Sequence, residues 1–103
     1  MDIADWRTRI DELDEQIVKL LNERAACAIA IGEIKRQSAA AIYEPQREQQ
    51  VIEHAREANP GPLAGEQIQL IYERIMDIMR SLQRADHGIP AAQQKQPAAG
   101  SKS

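Results

Sequence analysis

The stretch that decides the fold is Ile10-Asp11-Glu12-Leu13-Asp14-Glu15-Gln16-Ile17-Val18-Lys19-Leu20-Leu21-Asn22-Glu23-Arg24, continuing through Ala28 and Ile31-Gly32-Glu33-Ile34-Lys35. Its apolar residues, with Trp6 before them, are Ile10, Leu13, Ile17, Leu20, Leu21, Ala28 and Ile31. Steps of three and four are those of an amphipathic helix. No proline interrupts the chain from Ile3 to Gln37, so one helix is expected over that span. Asp2 or Asp5 suits the cap, and acidic first turns suit the helix dipole. Gly32 is the weak point inside, and its use would be close backbone approach. At ~1.5 Å per residue such a helix is roughly 50 Å long. A compact chain of this size has a radius of gyration of only about 13 Å. One end must therefore project, and the apolar stripe runs along it. A second copy in a symmetric dimer is the expected cover.

Outward from this helix, Ser38-Ala39-Ala40-Ala41-Ile42-Tyr43 breaks the periodicity and reads as a loop. Pro45 suits the first position of a second helix, over about Pro45 to Ala58, and places Glu44 at its cap. The inward face of that helix is thin: Val51, Ile52 and Ala55. Asn59-Pro60-Gly61-Pro62 is a breaker. A third helix is predicted from about Leu63 to Ala85, with one stripe of Ile68, Ile71, Ile75, Ile78 and Leu82 and a second of Tyr72, Met76, Met79 and Gln83. No repeat or strand pattern is present. The expectation is an all-α, three-helix chain: a helical domain over 1–86, then a disordered tail over 87–103, whose Ala, Gln, Lys, Pro, Gly and Ser bury too little apolar surface to order.

Composition narrows the function. With 103 residues the chain is one domain at most, and 13 basic against 16 acidic residues form no single-sign block. Only Trp6, Tyr43 and Tyr72 are aromatic, so stacking on bases is not expected, and neither is a nucleic-acid partner. The apolar runs are too short to span a bilayer. The acidic N-terminus is unlike a signal peptide, and a cytoplasmic location is expected. Cys27 is a lone cysteine with no intramolecular disulfide partner, expected as a small buried side chain. His54 and His87 lack metal-ligand spacing, no Gly-rich phosphate loop is present, and no Ser or Cys has a base partner. Neither a metal nor another cofactor is expected.

The informative residues are charges set into apolar faces. At ~100° per residue Arg24 and Lys35 continue the series Ile10, Leu13, Ile17, Leu20, Ala28, Ile31. A buried unpaired charge is costly, so two such charges on one stripe point to an anion site. The bland alternative is that they snorkel to solvent or pair with carboxylates. Arg7 flanks the stripe near the projecting end, where it would reach a second copy, although most flank arginines are simply solvated. Arg47 and Glu48 stand one turn before Val51 and Ile52, on the inward face of the second helix, although acidic residues there also suit the dipole. Gln83, in a row of apolar residues, needs a hydrogen-bond partner or a ligand, unless it is a solvated helix-end residue.

Together the pieces Trp6-Arg7-Thr8-Arg9-Ile10-Asp11-Glu12-Leu13-Asp14, Leu20-Leu21-Asn22-Glu23-Arg24, Ile31-Gly32-Glu33-Ile34-Lys35, Ile42-Tyr43-Glu44-Pro45-Gln46-Arg47-Glu48 and Gln83 resemble the all-helical class of chorismate mutases, over about Asp5 to Arg84. The resemblance implies an intertwined homodimer with two sites that rearranges chorismate to prephenate in phenylalanine and tyrosine biosynthesis. By motif position, Arg24 and Lys35 would hold the substrate carboxylates, with Arg7 entering from the other subunit. Glu48 and the start of the second helix near Glu44 would bind the ring hydroxyl, supported by Arg47, while Lys35 and Gln83 would donate to the ether oxygen. Two positions depart from the family pattern: Glu44 stands where Asp is usual, and Met79 stands where a small residue is common. Met79 would still line the pocket. Two rivals remain on sequence: an isochorismate–pyruvate lyase on the same fold, against which Glu48 weighs, and a non-catalytic helical dimerisation or regulatory module. Dependence on a partner enzyme of the aromatic pathway is a further possibility in small members of the family.

Overall fold

In the computed structural model, which describes residues 1–85, three helices account for the fold: α1 over Ile3–Ser38, α2 over Pro45–Ala58 and α3 over Gly65–Ala85. Helix α1 starts in a reciprocal box. The Asp2 carboxylate accepts from the Asp5 amide at 3.0 Å and the Asp5 carboxylate from the Asp2 amide at 3.1 Å, so both expected capping residues are used. Its last helical residue is Ser38, one past the predicted Gln37, and Ala39 caps it in the left-handed region, φ 59. Helix α2 has the predicted bounds, with Pro45 in its first turn and Glu44 at the cap. The Glu44 side chain makes no capping bond and is used elsewhere.

Helix α3 begins two residues later than the predicted Leu63. The Gln67 side chain accepts from the Ala64 amide at 2.9 Å, and the Ala64 carbonyl accepts from the Gln67 and Ile68 amides. The cap is therefore Ala64, and Leu63 belongs to the turn. The predicted disordered tail lies outside the described residues. No strand occurs among the described ones.

Only the C-terminal half of α1 is packed. α3 lies against it and also carries α2, while every residue from Met1 to Glu23 is exposed in the single chain. The molecule measures 54 × 35 × 15 Å with a radius of gyration of 16.5 Å, longer than a compact chain of this size. Its buried hydrophobic side chains are Ala28, Ile52, Met76 and Met79, whereas Ile10, Ile17 and Leu20 are 53%, 51% and 61% exposed.

The contact that sets α1 against α3 is Gly32. A Cβ placed there would lie 2.9 Å from the Cα and carbonyl oxygen of Gln83. Close approach is the role expected of Gly32 from the sequence, and Arg36 ties the same spot by donating to the Gln83 carbonyl at 2.9 Å. Because the obstructing atoms are backbone, Gly32→Ala is expected to destabilise the fold by about 1–3 kcal/mol, the usual cost of overpacking, despite alanine's better helix propensity. A lower thermal midpoint by circular dichroism is the expected result, and an unchanged or higher one contradicts this packing.

Candidate active site

Helices α1, α2 and α3 and the loop before α2 surround a cavity of about 840 Å³. Positions 24, 28, 31 and 35 share one face of α1, so Arg24, Ala28, Ile31 and Lys35 all reach it. Glu44 and Ile42 enter from the loop, Arg47 and Glu48 from the first turn of α2, and Met76, Met79, Arg80 and Gln83 from α3. Arg24 and Lys35 are about 16 Å apart along the helix axis, a gap that two long side chains close to the width of a small molecule.

Two ion pairs organise this cavity. Lys35, its side chain 14% exposed, bonds the Glu44 carboxylate and also donates to the Ile42 carbonyl at 3.4 Å. It therefore draws the loop over the site. Glu48 accepts from Arg80 Nε at 2.6 Å and from Arg80 Nη2 at 3.5 Å, a two-pronged contact between α2 and α3. The Arg80 guanidinium lies 5.0 Å from the centroid of the Tyr43 ring, in cation–π range. The Glu48 hydrogen bond raises the already high pKa of Arg80. Partial burial opposes that rise, and the Glu48 and Asp77 charges add to it.

Arg24 and the Gln83 side-chain amide make no hydrogen bond or ion pair among the described residues, although both are half-buried and line the cavity. Both line the cavity that Lys35 also lines. The ionisable lining consists of Arg24, Lys35, Arg47 and Arg80 against Glu44 and Glu48, which leaves two positive charges in surplus. An apolar floor of Ala28, Ile31, Met76 and Met79 lies among these charges. The arrangement suits a small dianion with an apolar body.

Residues 6–84 match the family model for chorismate mutase type II. The chain belongs to that family. It is 39% identical over 83 residues to a bifunctional chorismate mutase/prephenate dehydratase of Stutzerimonas stutzeri, covering 76% of this chain and 23% of that protein. The chain thus spans about a quarter of the length of such bifunctional relatives. A chorismate mutase of Methanocaldococcus jannaschii is 39% identical over 54 residues, 52% of this chain and 54% of that protein. Among solved structures, form II of chorismate mutase from Thermus thermophilus superposes with a TM-score of 0.79 at 26% identity, covering 81% of this chain and 94% of that one. Chorismate mutase from Helicobacter pylori in complex with prephenate gives 0.75 at 29% identity, covering 85% and 97%. The all-α family fold expected from the sequence is therefore the fold of this chain.

Of the family positions carried over from sequence, the fold gathers Arg24, Lys35, Glu44, Arg47, Glu48, Met79 and Gln83 around one cavity. Arg7 is not among its lining residues and lies on the exposed half of α1. Arg47 lines the cavity but is exposed, without a hydrogen bond or ion pair among the described residues. Arg80 takes the place next to Glu48. Sequence reading missed it, although it stands four residues after Met76 and three before Gln83 on the same stripe. Cys27, expected to be buried, is exposed in the single chain and lines the cavity, because nothing covers that side of α1. No group of metal-ligating residues and no helix long and apolar enough to cross a membrane occurs among the described residues.

Proposed function

We propose that this chain catalyses the intramolecular rearrangement of chorismate to prephenate in its 840 Å³ cavity. The observation that carries the reading is the surplus of two positive charges around an apolar floor, in a cavity that Lys35 and Gln83 both line. Chorismate is a dicarboxylate with an apolar ring, a ring hydroxyl and an ether oxygen. Arg24 and Lys35 hold its carboxylates, and the clamp folds the enolpyruvyl arm over the ring, so the reacting carbons meet without a bimolecular encounter. As the C–O bond breaks, negative charge grows on the ether oxygen, where the Lys35 ammonium and the Gln83 amide donate to it. Glu48 accepts from the ring hydroxyl, beside the start of α2 near Glu44. Lys35 exchanges its bond to Glu44 for bonds to substrate when the site fills.

The same reading includes a homodimer. Four buried hydrophobic side chains among the described residues make a thin core, and the exposed stripe from Trp6 through Leu21 continues the face that lines the cavity. A second copy laid along that stripe covers it and brings its own Arg7 toward the open side of the cavity. Residues 1–86 then form the catalytic domain, in the cytoplasm, serving phenylalanine and tyrosine synthesis. An aromatic-pathway enzyme as a further partner is compatible with the bifunctional names of relatives such as the Stutzerimonas stutzeri protein.

Binding separates this reading from a mere helical scaffold. A bicyclic dicarboxylate shaped like the rearrangement's transition state is expected to stabilise the folded protein by about 2.7 kcal/mol at a hundred times its Kd, seen as a rise of several degrees in thermal midpoint. Benzoate, with one carboxylate, is expected to give far less. No shift with the dicarboxylate removes the ligand site. Glu48, a carboxylate acceptor for a hydroxyl, favours the mutase over the isochorismate–pyruvate lyase, and turnover of isochorismate to salicylate and pyruvate in place of chorismate turnover reverses that choice.

A further inference from the structure

Beyond the two carboxylate clamps, the cavity contains a cation that the rearrangement itself does not call for. Arg80 is engaged on three sides: the Glu48 carboxylate at 2.6 Å, the Asp77 carboxylate at 3.6 Å and the Tyr43 ring at 5.0 Å. Resting on the chorismate reading, we propose that Arg80 is a positioning residue that fixes Glu48 as the acceptor for the substrate's ring hydroxyl and so sets the preference for a hydroxylated substrate.

Three observations carry this. A carboxylate has about four acceptor sites, and the Arg80 fork takes one on each oxygen, which leaves lone pairs for a substrate hydroxyl while blocking rotation of the group. Next, Glu48 and Arg80 line both the main cavity and a second one of about 280 Å³ on the Tyr43 side. The pair is thus a shared wall, with side chains 22% and 24% exposed. Removing Arg80 joins the two spaces and lets water compete for the hydroxyl contact. Last, a carboxylate facing a dianionic ligand is repelled unless a cation offsets it. With Arg80 the lining holds two surplus positive charges; without it, one.

The test compares two bicyclic dicarboxylates, identical except for the ring hydroxyl, by calorimetry on the full chain. The wild type is expected to prefer the hydroxylated compound by about tenfold or more, since a site built to bond a hydroxyl rejects the analogue lacking it. In Arg80→Met that preference is expected to fall below about threefold, even though both compounds bind more weakly. KM for chorismate is expected to rise about tenfold with kcat changed much less, because the hydroxyl contact is shared by ground and transition states. Arg80→Lys keeps the charge without the fork and serves if the Met variant fails to fold; its preference is expected to drop at least threefold. A variant that weakens both compounds yet keeps the full preference overturns the proposal, since a purely structural tie between α2 and α3 acts that way. A wild type that binds the dicarboxylates without preference overturns it too. A wild type that binds neither compound and leaves chorismate intact overturns the underlying reading, and this inference with it.

Discussion

Lys35→Ala is expected to lower kcat for chorismate by about 10³-fold or more while the fold and the oligomer persist. Lys35 has two tasks in the proposed chemistry, one on a carboxylate and one on the ether oxygen, and the second strengthens in the transition state as charge develops there. Loss of a single preorganised donor to a developing oxyanion costs roughly 10²–10³ in rate. Here the donor is cationic and sits in a partly dry site, its side chain 14% exposed, so the upper part of that range or beyond applies. Stability is expected to change little. The Glu44 carboxylate that loses its partner is 52% exposed, and pairs of that kind contribute about 0–1 kcal/mol. Steady-state kinetics beside a thermal melt checks both halves. A folded variant within tenfold of wild-type kcat removes Lys35 from the chemistry.

Gln83→Glu gives the second large effect, and it depends on pH. The Gln83 backbone is held by Arg36 and by the close approach of Gly32, so the substitution changes the head group without moving the helix. An ionised Glu is an acceptor only, and it places a negative charge where negative charge develops. Loss of about 10³-fold in kcat is expected at pH 7 to 8. Protonation restores a donor. A glutamic acid has a reference pKa of about 4.3, so activity is expected to climb about tenfold per unit as pH falls toward that range. The wild-type amide does not titrate and shows no such climb. A variant whose activity stays flat from pH 8 to pH 5 contradicts a donor role for Gln83.

Much of this was legible in the sequence, for identifiable reasons. The 3.6-residue period from Trp6 to Ile31 is long enough to fix a helix. Two cations on that stripe announce a site because burying them otherwise is costly. The start of α3 was not legible. Leu63 continues the apolar pattern, but the Gln67 side chain caps at Ala64 and begins the helix at Gly65. Arg80 was missed for a different reason. The reasoning that singled out Arg24 applies to it equally, since 76, 79, 80 and 83 share a face, yet its worth lies in a partner 32 residues away on α2. Spacing along one helix shows where a side chain points; which carboxylate meets it depends on how α2 crosses α3. Cys27 shows the limit from the other side. Its composition suggested burial, but exposure depends on what covers α1, and in a single chain nothing does.

The cavity between Arg24, Lys35, Glu48 and Gln83 is proposed to rearrange chorismate. Its most direct test is the loss of chorismate absorbance on adding the purified full chain, with the product converted by acid to phenylpyruvate and quantified. Saturable loss of chorismate with equimolar prephenate and no salicylate is expected. Chorismate left intact by folded protein, at concentrations where the dicarboxylate mimic saturates the site, contradicts it.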